Sequence, residues 1–279
     1  MPFLAAGANG LFARHGLDVE ILEPAPGPAN VARAAAGGAD LCLTSMAHYL
    51  RARDADPAVA ARFVAPIVRR TPMAGLVAAS SPIDSPAELS GRRLGGPSDS
   101  RLVAEYQGCL AHLGLAPSVL VPMDYSEAPA ALGRGEVDIV PDFVDLIPRT
   151  RRQSGIPVRA VPFGFDLYSS GLVAADRLPL DLVARVVEAV AEALQRQRED
   201  PKAGLAELAR RYPEADPADA LEGWALVEPN IFTGPPPGVS EPATWATSVQ
   251  FTSDALGLPP PPPETVVRPE TVGPMKEVP

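Results

Sequence analysis

Short apolar runs of strand length alternate along the chain with longer stretches of helical spacing. "VEIL" (19–22), "ADLCLTS" (39–45), "RFVAPIV" (62–68) and "AGLVAAS" (74–80) are branched and apolar, as strands should be. "PANVARAAAGG" (28–38) and "MAHYLRAR" (46–53) lie between them with helical spacing. Arg14 and His15 suit the last turn of a helix, and Gly16 the left-handed residue just past it. Further on, "RRLGG" (92–96) reads as a strand, "RLVAEYQGCLAHLGL" (101–115) as a helix, and "FGFDLYSSGLVAA" (163–175) as a returning strand. The stretch 181–197 puts Val183, Val186, Val187, Val190 and Leu194 on one face of an amphipathic helix. "GLAELARRY" (204–212), "DALEGWALV" (219–227) and "ATWATSVQFTSDAL" (243–256) follow as helices with no strand between them, so they must pack on a sheet formed earlier.

The pattern repeats itself. "HGLDVEILEPAPGPANVARAAAGGADLCLT" (15–44) aligns without a gap on "LGLAPSVLVPMDYSEAPAALGRGEVDIVPD" (113–142), 98 residues further on. Gly16 falls on Gly114, Leu17 on Leu115, Gly37 on Gly135 and Asp40 on Asp138. Both copies read helix, Gly-Leu, strand, loop, helix, Gly-x-x-Asp, strand. A helix between two strands at this spacing is a βαβ crossover, which predicts parallel pairing in each copy and two α/β lobes. The second copy has "RRLGG" ahead of its first helix and the first copy has nothing equivalent, so a strand of about five residues is expected to precede Pro2.

Composition narrows the function. The 279 residues are 46% apolar, enough for a large core, and carry a net charge of −10 with no basic stripe, which speaks against nucleic acid. No apolar run reaches the roughly 18–20 residues of a membrane span, and no leader pattern opens the chain. The two cysteines, Cys42 and Cys109, read as small buried apolar residues, and with only three histidines no metal site is expected. Eight of the 34 prolines lie in residues 258–279, so 257–279 is expected as an extended, disordered tail.

Three stretches in order carry a resemblance: "GLFARHGLDVEILEPAPGPANVARAAAGGADLCLTS", "SPIDSPAELSGRRLGGPSDSR" and "ALGRGEVDIVPDF". Together, over about residues 2–256, they resemble the periplasmic-binding-protein type II family, in its sulfonate, taurine, nitrate and thiamine-pyrimidine (NMT1/THI5-like) branch. The resemblance implies a two-lobed α/β fold, each lobe a mixed or parallel sheet flanked by helices, with lobe one at 1–84 and 168–256 and lobe two at 85–167. It implies a monomeric solute-binding protein with no cofactor, which captures a sulfonate-, amino-acid- or pyrimidine-like molecule between hinged lobes for an ABC permease. The family is usually extracytoplasmic; the chain as written would be cytoplasmic if Met1 is its true start. The alternative is an enzyme on the same scaffold. The desulfinase type uses a cysteine just ahead of the segment matching "PFLAA", and the pyrimidine-synthase type a cysteine-rich run; neither is present here. A ligand sensor is a third reading.

Ligands of such folds sit beyond the carboxyl ends of strands, which nominates loops in pairs. Thr44, Ser45 and His48 follow the second strand of the first copy, and Asp142, Phe143 and Asp145 that of the second. Asp124 and Tyr125 follow the first strand of the second copy, and Tyr168 with Ser169 stands at the return crossing. In "GPSDSR" (96–101), Gly96 allows close approach, and Ser98, Asp99 and Ser100 can cap a helix whose free N–H groups favour an anion. Arg101 and Arg149 suit a carboxylate, sulfonate or phosphate, and the acids an amine or a stacking ring.

Overall fold

The computed structural model describes residues 1–268. The chain opens with α1 (Pro2–Ala8), α2 (Leu11–Arg14), α3 (Ala29–Ala35), β1 (Leu41–Ser45), α4 (Met46–Ala55) and β2 (Ala61–Val68). It then builds a second lobe from β3 (Met73–Ala78), α5 (Pro86–Leu89), β4 (Arg93–Gly96), α6 (Arg101–His112), β5 (Val119–Pro122), α7 (Ala128–Gly133) and β6 (Val140–Phe143). A 3-10 turn (Val144–Leu146), α8 (Ile147–Ser154) and β7 (Val158–Pro162) complete that lobe. The chain returns with β8 (Ser170–Ala175) and α9 (Leu180–Glu199), then α10 (Leu205–Arg211), α11 (Pro217–Ile231), α12 (Pro242–Leu256) and α13 (Pro263–Val266).

Lobe one is the antiparallel sheet β1–β8–β2, with Leu43 opposite Leu172. Alternate residues of β8 face opposite layers: Leu172 and Ala174 pack with α9, Val173 with α4 and Phe63. In lobe two, β3 pairs antiparallel with β6 and β7, β4 runs parallel to β5, and Leu94 bridges Ile139. The order across that lobe is therefore β5-β4-β6-β3-β7. Met73 and Val77 face α6, while Ala74 and Leu76 face α7 and α8. The repeated glycines match in conformation: Gly16 and Gly114 have φ of +67° and +70°, Gly37 and Gly135 +86° and +71°, which only glycine adopts freely.

Several sequence expectations meet a different geometry. "VEIL" forms no strand: residues 19–22 carry no ladder, and Val19 and Leu22 are each 40% exposed. Its repeat mate β5 is held by β4, and within residues 1–268 no strand lies beside β1 where the counterpart of β4 would stand. The strand ladders of lobe one are for the same reason antiparallel, its parallel pairing being the single bridge of Phe63 to Val267, and the parallel ladder belongs to lobe two. β3 belongs to the second sheet, so the chain crosses at 69–72, ahead of the expected boundary at 84/85. The tail is not wholly extended. Residues 263–266 turn through α13, Val266 and Val267 are buried against lobe one, and Val267 bridges Phe63. Residues 269–279 of that expectation lie outside the described residues.

Two helices join the lobes. Trp245 of α12 packs on Phe63 and Tyr168 in lobe one, while Phe251 contacts His112 and Phe165 in lobe two. Gly108 of α6 lets Ala255 approach so closely that an added Cβ would stand 2.5 Å from its Cβ. On α11, Trp224 and Ile231 bury in lobe one, while Gly223 lies against the Asp145 carbonyl of lobe two and Glu222 and Asp219 pair with Arg151 and Arg152.

Candidate functional site

The two repeat copies bring their strand ends together between the lobes. On lobe one, β1 ends in Thr44 and Ser45. Ser45 is the N-cap of α4, its Oγ accepting the His48 N–H at 3.2 Å, which fixes the first turn that presents His48. Gly27, at φ +51°, leaves room beside the ring: its added Cβ would lie 3.7 Å from His48 Nε2. Arg51 stands exposed one turn further along α4. The Thr44 hydroxyl is buried and has no hydrogen-bond partner among the described residues.

On lobe two, β6 ends in Asp142 and Phe143. Asp142 is 2% exposed; its Oδ1 accepts the Phe143 N–H at 2.9 Å and its Oδ2 accepts the Tyr125 hydroxyl. Burial pushes the Asp142 carboxyl above its usual range, against the pull of Tyr125, the Phe143 N–H, Arg149 and Arg101. Burial and the neighbouring carboxylate push the Tyr125 phenol upward. Arg149, in the first turn of α8, lies 5.8 Å from the Tyr125 ring centre, and Arg101 lies 5.9 Å from that of Phe143. Both oxygens of Glu105, one turn along α6, accept from Arg101 Nη1 at 2.9 and 3.0 Å.

The lobes act on each other here. Burial, then the charges of Arg101 from lobe two and Arg51 from its own helix, bring His48 down to about 4, so its imidazole is neutral near pH 7. Beneath the Arg101–Glu105 pair, Glu105 and Cys109 of α6, Met46, Thr71, Ser169 and Phe251 line a small pocket at the crossings. The cleft therefore offers guanidinium groups, an imidazole and hydroxyls to a small polar ligand.

Of the other expected residues, Tyr168 lines the same small pocket as Glu105, and the rest have surroundings of their own. Ser98 and Asp99 are exposed, and neither Asp99 nor Ser100 caps α6: Ser100 is the N-cap but makes no side-chain cap bond, its N–H closing a turn on Pro97 O at 3.2 Å. Gly96 makes its close approach to Val103, 2.9 Å from the added Cβ. Asp124 is exposed at the rim. Tyr168 is 3% exposed, its hydroxyl accepting the Glu241 N–H at 3.0 Å, which places it in the packed crossing. Sequence reasoning missed Arg51 and Glu105. Both had a signal: Arg51 is the repeat mate of Arg149, and Arg101 and Glu105 have the i, i+4 spacing of a helical ion pair.

The family model described as NMT1/THI5 like matches residues 1–204. The chain belongs to the NMT1/THI5-like family. Solved structures similar to this family member include the periplasmic aliphatic sulphonate binding protein SsuA of Escherichia coli, at 18% identity and TM-score 0.72, over 99% of this chain and 90% of that one. The alkanesulfonate-binding SsuA of Xanthomonas axonopodis pv. citri, bound to MOPS, is similar at 19% identity and TM-score 0.64, over 97% and 93%. DszB in complex with biphenyl-2-sulfinic acid is similar at 17% identity and TM-score 0.62, over 97% and 94%. No curated protein matches the chain. These likenesses establish the two-lobed fold of periplasmic binding proteins for the chain. Among the described residues no helix is long and apolar enough to cross a membrane.

Proposed function

We propose that this protein is a solute-binding component of an ABC importer, capturing a small sulfonate-, amino-acid- or pyrimidine-like molecule between its lobes. The observation that carries the reading is the meeting of His48 and Arg101, one from each lobe, beside Arg149 and a buried Thr44 hydroxyl that has no internal partner. Capture needs little more: polar groups converging from two bodies that a hinge brings together. Two of the similar structures are sulfonate-binding proteins, which points the same way. The working partners are then the ligand and a permease, and the working place is outside the cytoplasm.

The likeness to DszB keeps an enzyme on the same scaffold as the second reading. Against a thiolate nucleophile stand the partial burial of Cys42, which raises it to about 12, and the full burial of Cys109, which pushes it up as well. Native mass spectrometry and thermal shift against sulfonates, amino acids, pyrimidines and polyamines decide between them. Capture predicts a stoichiometric complex whose melting temperature climbs with ligand concentration, and whose ligand is recovered unchanged. Turnover of the bound molecule would move the protein to the enzyme reading.

A further inference from the structure

Each of the two guanidinium groups at the cleft, Arg101 and Arg149, acts on a carboxylate, and Asp145 lies within the field of Asp142. Glu105 receives both of its hydrogen bonds there from a single guanidinium nitrogen of Arg101, and the two side chains are only 13% and 18% exposed. Asp142 takes the Tyr125 hydroxyl and the Phe143 N–H on its two oxygens and stands within the field of Arg149. Burial pushes the Glu105 carboxyl up, and the Arg101 guanidinium bonded to both of its oxygens pulls the other way and holds the pair as an ion pair. His48 adds a neutral ring, and Arg51, which is exposed, acts on both His48 and Glu105.

We propose that Glu105 is the charge-setting residue of the cleft: by neutralising Arg101 it limits the bound solute to a single negative charge and excludes doubly charged oxyanions. This inference rests on the capture reading. Two half-buried guanidinium groups facing no acid would favour a dianion. With Glu105 and Asp142 in place, the first negative charge of a ligand still meets two guanidinium faces and the neutral donors of Thr44 and His48. A second negative charge would sit unpaired beside two carboxylates in a low-dielectric site, where like-charge juxtaposition is most costly. Glu105 acts through Arg101, so it is a positioning residue, and the property it sets is selectivity between ligands.

Ethyl sulfate and ethyl phosphate test this. They share a shape and differ by one charge at pH 8, but carry the same charge at pH 5, because the second phosphate proton leaves near pH 6. Titration calorimetry on the full chain is expected to find ethyl sulfate bound at least about tenfold more tightly at pH 8, a ratio of about 1.4 kcal/mol, and the two esters bound within about threefold at pH 5. In Glu105→Gln the ratio at pH 8 should collapse or invert; in Glu105→Asp, which keeps the charge, it should persist. Equal binding by the wild type at pH 8, binding of neither ester, or an unchanged ratio in a folded Glu105→Gln protein would overturn the inference. If Glu105→Gln does not fold, the two wild-type pH values decide alone. Failure of every compound in the broader panel to bind would instead overturn the capture reading itself.

Discussion

Thr44 and Asp142 stand 98 residues apart at the ends of β1 and β6, the same place in two copies of one unit, and the lobes bring those ends to one cleft. The copies have diverged in how they satisfy this position. Asp142 is fully bonded, through Tyr125 and the backbone. Tyr125 has Gly27 as its repeat mate, so no donor reaches Thr44 from that side, and the Thr44 hydroxyl is left without a partner. A buried hydroxyl without a partner costs stability, about 1–3 kcal/mol by mutational measure, unless a ligand completes it.

Replacing Thr44 by Val, of nearly the same shape, should therefore leave the ligand-free protein as stable as before or slightly more stable. The same change should weaken the ligand found in the panel by about fivefold to tenfold, the worth of one neutral hydrogen bond. Differential scanning calorimetry and titration calorimetry on one preparation read both effects. A clear loss of stability in the free protein would show that Thr44 already has an internal partner.

Removing the Tyr125 hydroxyl acts on the other copy. Tyr125→Phe leaves Asp142 buried with one donor instead of two, so its carboxyl should rise further and the protein lose about 1–3 kcal/mol in urea unfolding at pH 8. Combining it with Asp142→Asn should recover part of that loss, because a neutral amide tolerates the site better than a stranded carboxylate. Additive losses in the double variant would show that the two side chains are not coupled.

Much of this arrangement was legible in the sequence, because a duplicated unit declares itself twice. The glycines at 16, 37, 114 and 135 fixed the helix ends in both copies, and the structure has them all left-handed. Long periodic helices such as α9 were equally plain, since one apolar face specifies them. What failed was pairing. "VEIL" has the composition of a strand, but a strand needs a neighbour, and pairing is not written in the segment itself. The placement of β3 in the second sheet failed for the same reason, and "VRAVP" at β7 gives little strand signal because its alternation is weak. In the site, residues on strand ends could be nominated by topology. Glu105 lies mid-helix and not at a strand end, so its signal is the i, i+4 spacing to Arg101 and not the topology.

The acid side of the stability curve should hide two opposed slopes. His48 is lowered from its ordinary value to about 4, so the unfolded chain binds more protons between about pH 4 and 6.5, and stability rises with pH there. Asp145 is raised by burial, with the Asp142 charge adding, to about 6. The folded chain then binds more protons between about pH 4 and 6, and stability falls with pH over that window. The two slopes partly cancel between pH 4 and 6, with the buried carboxyls of Asp142 and Glu105 adding to the falling one. His48→Gln should leave the falling limb exposed and Asp145→Asn the rising one, each departing from the wild type by about 1–3 kcal/mol across the window. Urea unfolding at half-unit intervals gives the slopes; identical profiles for the two variants would contradict the assignment.

Gly223 carries a different kind of constraint, because it sits where a lobe-one helix meets the other lobe. A Cβ there would lie 2.7 Å from the Asp145 carbonyl oxygen, a backbone atom that cannot rotate away. Gly223→Ala gains helix propensity of about 1 kcal/mol in an interior turn of α11, so on local grounds alone it should stabilise. Packing opposes this: overfilling a contact that close costs typically about 1–3 kcal/mol. The contact joins α11 to the turn between β6 and α8, which carry Asp142 and Arg149, so relief can come only by moving the lobes apart or unseating α11. The expected result is a net loss of stability together with weaker ligand binding and a larger radius of gyration in the ligand-free state. If Gly223→Ala instead stabilises the protein and leaves affinity unchanged, α11 does not hold the lobes in the geometry described above.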